Sequence, residues 1–234
     1  MKLEKKLSII AKNYDKRNVL QKKINEYFAN FVVENIVVEN INKISDIGCG
    51  TGDFTRHLMQ IFPNSQIDCF DISSDMLNLA KKNLKNDKIN FTQSDAMSVD
   101  LSGYQASFSS MALHMLFDKI GDFFERNKKN VFFTSIPIKD SLSYIKNIFK
   151  NHEMSYKIID FPSIEILEKH HDFYEIVDFK MKINFKDALK NIKNTGFNKF
   201  DRIEVGKMLK ILKKYAKSDV ILNYKIFFGM HFDI

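Results

Sequence analysis

Three carboxylates and a run of glycines are the residues of this chain best spaced to do chemistry. Asp46 stands two residues before Gly48, and glycines recur at 50 and 52, directly after the short apolar run that ends at Ile47. A turn of this kind after a strand lets main-chain groups come close to a ligand, because glycine has no Cβ and tolerates positive φ. The spacing is not the G-x-G-x-x-G of a dinucleotide loop, where a helix N-terminus receives a pyrophosphate. An acid just before the first glycine suits instead a ligand with a cationic end. Asp71 lies about twenty residues beyond the loop, where a carboxylate can accept both hydroxyls of a ribose. Asp95 follows a third apolar run and is placed to accept the exocyclic amine of a base, with Ala96 offering an amide to a ring nitrogen. Ile72 and Met76 would flank that base. Each also has an ordinary structural reading: Asp71 and Asp95 as helix or turn caps, Ile72 and Met76 as core.

The elements that must position these groups alternate in period along the chain. Strands are expected at 43–47, 66–70, 89–93, 104–109 and 130–135, with helices at 52–61, 74–84, about 117–127 and 140–150. Ser74, with Asp75, is the expected cap of the second of these helices. Strands separated by helices imply parallel βαβ units with right-handed crossovers, hence an α/β three-layer sandwich. In front, Leu7, Ile10, Tyr14, Leu20, Ile24, Tyr27, Phe28 and Phe31 repeat at helical spacing. Behind come a short helix to about 170, a long strand at 173–185, amphipathic helices at 186–194 and 203–217, and a last strand at 220–228. The 234 residues suit one domain: an N-terminal helical lid over 1–40, a ligand-binding core over 43–150, a sixth strand with a helical cap over 151–218, and a closing strand over 219–234.

Composition narrows the function classes. The net charge of +7 rests on lysines, with arginine only at 17, 56, 126 and 202. Such a balance draws acidic partners but lacks the clustered arginine and aromatic residues that serve nucleic-acid recognition. No run reaches the roughly 20 apolar residues of a membrane helix, and the charged start has no apolar stretch behind it, so the cytoplasm is expected. Cys49 and Cys69 read as free thiols of a reducing compartment, and no metal is called for.

The string Asp46-x-Gly48-x-Gly50-x-Gly52 resembles motif I of the class I methyltransferases. The resemblance implies a Rossmann-like sandwich on a mostly parallel seven-stranded sheet with an antiparallel last strand. It also implies S-adenosylmethionine as cofactor and S-adenosylhomocysteine as product. Gly48, Cys49 and Gly50 would then approach the amino-acid end of the cofactor, and Asp46 would act on its ammonium. The stretch Phe108-Ser-Ser-Met-Ala-Leu-His-Met115 lacks the Asn or Asp followed by Pro-Pro and an aromatic that DNA and glutamine N-methyltransferases carry.

Four further stretches are Ala11-Lys-Asn-Tyr14-Asp15 with Leu20-Gln21, Asp71-Ile-Ser-Ser-Asp-Met76, Leu189-Lys-Asn-Ile-Lys-Asn-Thr-Gly-Phe197 and Asn223-Tyr-Lys-Ile. With these, the chain resembles the malonyl-acyl-carrier-protein O-methyltransferases of biotin synthesis. That family's reaction puts a methyl on the free carboxylate of a malonyl group held by an acidic carrier protein, or by coenzyme A. The resemblance implies Tyr14, Arg17 and His114 near the acceptor, and Gln21 and Ser109 beside the cofactor. Lys139 is a further candidate for the acceptor anion, and Lys190, Lys193, Lys207 and Lys210 for the carrier. Tyr14 and Arg17, three apart on an expected helix, share a face. Ordinary readings stay open for each: a core Tyr14 or His114, a surface Arg17 or Gln21. The chain departs from the pattern at Ser110, where Asn is usual, at Met115 for Trp, and at Asp140-Ser-Leu142 for Gly-Thr-Leu. Two rivals remain, a methyltransferase of another small acceptor and a non-catalytic binding subunit.

Overall fold

Strands with the most continuous burial take the middle of the sheet. β1 (Lys43–Ile47) is buried after its first residue, β4 (Ala106–Ser110) until its last, and β5 (Phe132–Pro137) throughout. At the margins, β3 (Ile89–Gln93) and β7 (Phe173–Asn184) are largely exposed or half-buried. Buried parallel strands need hydrocarbon on both faces, which is what these runs supply. A computed structural model describes residues 19–37, 39–154, 157–195, 198–199 and 205–232, so Tyr14 and Arg17 lie outside the described residues.

With β2 (Gln66–Asp71) and β9 (Asp219–His231), the strands form one seven-stranded sheet in the order β3-β2-β1-β4-β5-β9-β7. Six run in one direction, and β9 inserts antiparallel to both β5 and β7. A separate two-stranded ribbon joins β6 (Lys157–Ile158) to β8 (Asn198–Lys199). The strand order reverses between β1 and β4, and in open α/β sheets ligands bind beyond the strand ends at such a switch point.

The helices in chain order are α1 (Val19–Asn35), α2 (Asp53–Ile61), α3 (Ser74–Asn83), α4 (Ile120–Arg126), α5 (Ser143–Asn151), α6 (Ile164–Leu167), α7 (Phe185–Asn194) and α8 (Val205–Tyr215). Leu20, Ile24, Phe28, Phe31 and Val32 of α1 are buried at the expected spacing. Phe28 stacks on Phe54 of α2 at 4.6 Å, and Phe31 meets Phe133 of β5 edge-on at 6.3 Å. Phe185, Ala188 and Ile192 seat α7 in the same core, and Thr195 at its end reaches the cleft described below.

Two local expectations are corrected. The cap of α3 is Ser73, one residue earlier than Ser74: its hydroxyl accepts from the Met76 amide at 3.3 Å. The expected helix at 117–127 begins only at Ile120 as α4, and before it runs a 3-10 stretch Leu113–Lys119 that is itself kinked at Phe117 (φ 54°, ψ −119°).

The turn between β5 and α5 holds Asp140 at φ 76° and Leu142 at φ 60°. The left-handed region costs an L-residue roughly 1–2 kcal/mol, less for aspartate, and glycine nothing. Asp140 stands where the resembled family commonly has that glycine. Asp140→Gly should therefore stabilise the fold, by about 0.5 kcal/mol after the added freedom of the unfolded chain is subtracted. Urea unfolding midpoints of the two proteins check it; a lower midpoint for the variant counts against this account.

Candidate active site

The loop after β1 is strapped to the end of β2. The amides of Gly48 and Cys49 both donate to the carbonyl of Phe70, at 2.7 and 3.0 Å, and the amide of Gly50 donates to Asp71 Oδ2 at 2.9 Å. Gly48, Gly50 and Gly52 all have positive φ, as this tight return requires. The loop amides are thus spent within the protein, and what Gly50 offers a ligand is a bare Cα beside open space. Asp71 also accepts from the Ser73 amide at 2.8 Å, so it fastens loop, strand and helix together. Burial pushes its carboxyl upward, and its two amide donors only partly offset that. Each oxygen of a carboxylate can accept more than one hydrogen bond, and Asp71 keeps that capacity on the side that lines the cleft.

The cleft measures about 390 Å³. On one side it is lined by Asp71, Ile72, Met76, Asp95 and Ala96, the residues expected around ribose and base. Met76 is buried and Asp95 exposed, with Asp95 Oδ1 accepting from the Met97 amide at 2.9 Å as the cap of a short turn. Arg126 of α4 ties the same turn from below, donating to the carbonyls of Ala96, Met97 and Val99. The opposite side, from Met111 to Lys119, is mostly apolar. Met111, at the exit of β4, holds φ 55° with its amide on the Ser135 carbonyl at 2.8 Å. His114 is buried 5.8 Å from the Phe161 ring, and burial pushes its imidazole down to about 3, so it is neutral at physiological pH.

A smaller polar recess of about 40 Å³ adjoins Gly48 and Gly50 and is lined by Gln21, Asn25, Asp46, Thr51, Asp53 and Ser110 among others. Asp46 is buried; Thr55 Oγ1 donates to its Oδ2 at 2.6 Å, and its Oδ1 has no hydrogen-bond partner among the described residues. Burial pushes this carboxyl up to about 7, the Thr55 hydroxyl lowers it, and the nearby Asp71 adds a further rise. An orphaned buried acceptor beside a glycine loop calls for a cation.

Of the expected site residues, the structure gathers Gln21, Asp46, Gly48, Cys49, Gly50, Asp71, Ile72, Met76, Asp95, Ala96 and His114 around these two connected spaces. Ser109 is moved elsewhere: it is fully buried, donates to the Ile47 carbonyl at 2.8 Å, and lines neither space. Side chains alternate along a strand, so it is the neighbouring Ser110 that faces the recess. Lys139 is exposed, its amide bonded to the Pro162 carbonyl at 2.9 Å. Asn25 and Asp53 were not singled out by sequence reasoning. The available signal was Asn25 itself, one amide within an otherwise apolar helical stripe.

Residues 44–129 match the family model described as a methyltransferase domain. The chain carries a methyltransferase domain over that stretch. Across 87% of its length it is 27% identical to a malonyl-[acyl-carrier protein] O-methyltransferase of Ilyobacter polytropus, of which it covers 87%. In fold it resembles the YcgJ protein of Bacillus subtilis, with a TM-score of 0.59 at 12% identity, covering 88% of this chain and 99% of that one. It also resembles the plantazolicin methyltransferase solved with S-adenosylhomocysteine, with a TM-score of 0.51 at 14% identity, covering 95% and 89%. S-Adenosylmethionine is the methyltransferase's cofactor, and the groups present suit it. Asp46 would supply a buried acceptor for its ammonium, Gly50 room for close approach, and Asp71 and Asp95 would be acceptors for ribose and adenine. Among the described residues no group of His, Cys, Asp and Glu could hold a metal ion, and no helix is long and apolar enough to cross a membrane.

The raised carboxyl of Asp46 makes a pH-dependent prediction. In the unfolded chain this acid loses its proton at roughly 4, whereas the folded protein without ligand keeps it to about 7. Between those values the folded state binds the extra proton, so stability falls as pH rises through the window and levels off above it. Asp46→Asn removes the titration, and its stability curve should lack that slope, the two curves differing by on the order of a few kcal/mol across the window. Denaturant unfolding of both proteins at a series of pH values reads this out, and parallel curves would rule the ionisation account out.

Proposed function

We propose that this methyltransferase transfers a methyl group to the free carboxylate of a malonyl group carried by an acidic acyl-carrier protein, or by coenzyme A, early in biotin synthesis. The observation that supports this most is the kind of base the acceptor side of the cleft offers. Among the described residues there, His114 is buried and held neutral with its imidazole near 3, too weak a base to take a proton from an alcohol or an ammonium. Asp118 stands exposed at the rim. An acceptor already ionised at neutral pH needs no such base, and an unperturbed carboxylic acid titrates at roughly 4. The bound cofactor supplies a methyl on a sulfonium, and the protein's task is to hold a carboxylate oxygen in line with it. Such positioning can lower a barrier by several kcal/mol.

The apolar residues Met111, Leu113, Met115 and Leu116 line the wall that would exclude water from that line. Tyr14 and Arg17 are the proposed donors to the malonyl carboxylate. Lys193 and Lys210 are exposed, Lys190 pairs with Asp187 at 2.8 Å, and Lys207 donates to the Glu153 carbonyl at 2.7 Å; these lysines are the proposed contacts for an acidic carrier. The identity to the Ilyobacter polytropus relative supports the same reading, and a cytoplasmic setting belongs to the proposal. A methyl-transfer assay should give a methyl ester on malonyl-carrier protein or on malonyl-coenzyme A. If neither is methylated by protein that still binds S-adenosylhomocysteine, this acceptor assignment is wrong and the cofactor assignment stands.

A further inference from the structure

The buried stripe of α1 carries one carboxamide among its hydrocarbons. Asn25 is 2% exposed, level with Ile24 and Phe28. Its Nδ2 lies 2.8 Å from Asp53 Oδ2, its Oδ1 lies 2.7 Å from Ser110 Oγ, Ser110 Oγ lies 2.9 Å from Ser135 Oγ, and the Met111 amide reaches Ser135 Oγ at 3.2 Å. The carboxylate end of this chain fixes the direction of every side-chain bond in it. A main-chain N–H can only donate, and a carboxylate can only accept. Asn25 therefore gives to Asp53 through Nδ2 and accepts through Oδ1 from Ser110, whose one hydroxyl hydrogen is thereby used, so Ser135 gives its own to Ser110. The Met111 amide is shared between the Ser135 carbonyl at 2.8 Å and the Ser135 Oγ at 3.2 Å.

The geometry points to Asn25 as the residue that positions the grip on the cofactor's amino-acid end. It holds Asp53 beside Asp46 at the recess, and it fastens α1 to the exit of β4. Gln21, four residues earlier on the same helical face, is thereby held at the recess too. The amino-acid end has one positive and one negative group. Asp46 and Asp53 suit the ammonium, while the second Nδ2 hydrogen of Asn25 and the Gln21 amide suit the carboxylate. Ser110 stands where the resembled family usually has asparagine. The Asn25 carboxamide lies against the Ser110 hydroxyl from another element. On this proposal the carboxamide is supplied from α1 in place of β4.

The role is tested by calorimetry with two ligands, S-adenosylhomocysteine and adenosine, which lacks the amino-acid end. Asn25→Ala should weaken S-adenosylhomocysteine by about tenfold or more, the scale of one lost charge-assisted contact, and leave adenosine unchanged. Adding Ser110→Asn to that variant should restore much of the loss by returning a carboxamide from β4. Should Asn25→Ala melt below the assay temperature, Asn25→Asp keeps the size, turns an acceptor toward Asp53, and should show the same ligand split. Unchanged binding of S-adenosylhomocysteine, or equal loss for both ligands, overturns the positioning role. Failure of Ser110→Asn to restore binding in a protein with native melting overturns the relocation of the amide.

Discussion

Asp71→Ala is expected to weaken S-adenosylhomocysteine binding by more than about a hundredfold and to destabilise the protein at the same time. Two hydrogen bonds from ribose hydroxyls to a carboxylate are worth about 1.5–3 kcal/mol each, and about 1.4 kcal/mol is a factor of ten in affinity. The same side chain holds the amides of Gly50 and Ser73, at 2.9 and 2.8 Å. Removing it leaves two main-chain donors in a largely buried place without an acceptor, at roughly 1–3 kcal/mol each unless water enters. Asp71→Asn is not a mild substitute. One of its two positions becomes an NH2 group facing an N–H donor, so either Gly50 or Ser73 loses its acceptor. A ligand lacking a ribose hydroxyl separates the two roles. Its removal should cost the native protein affinity and cost Asp71→Ala almost nothing, whereas an equal loss in both proteins would deny Asp71 the ribose contact. Melting curves recorded alongside report the loop-fastening role independently.

Much of this site is legible in the amino-acid sequence because its parts are local. Asp46, the glycines, Asp71 and Asp95 each sit at the carboxyl end of a strand that an apolar run announces, and a parallel sheet brings those ends together wherever the run falls. The last strand is likewise readable from the apolar run Val220–Phe228, whereas its antiparallel insertion is implied by the family resemblance and not by the run itself. What cannot be read depends on contacts between distant residues or on one step of register. Ser109 and Ser110 point to opposite faces, and a sequence pattern does not say which of two adjacent serines faces a cleft. The Asn25 chain joins residues 28 and 85 apart in sequence. The break at Phe117 is a backbone state that no residue type around it demands. The raised carboxyl of Asp46 follows from complete burial, a property of the packed fold rather than of the motif.

The glycines of the loop look alike in sequence and should fail differently. A Cβ at position 48 would lie deep within the contact distance of Ala112 Cβ, a group fixed to its own backbone and unable to rotate away. Gly48→Ala must therefore either break the loop's bonds to Phe70 or displace the exit of β4, which carries Met111 and His114. Overpacking of this kind costs typically 1–3 kcal/mol, and the positive φ of 72° adds roughly 1–2 more. A Cβ at position 50 meets nothing within 4 Å, so Gly50→Ala bears only the conformational cost, about 1 kcal/mol. Its methyl, however, projects toward space bordered by both the cleft and the recess, where the close approach of a ligand to the main chain would be blocked. The two variants should then rank in opposite order by two measurements. In urea unfolding Gly48→Ala is the weaker protein, and in titrations at a temperature where both are folded Gly50→Ala is the weaker binder, by about tenfold or more relative to native. If Gly50→Ala binds S-adenosylhomocysteine as the native protein does, the cofactor does not pass over Gly50, and the loop's part in the site is confined to holding Asp71 in place.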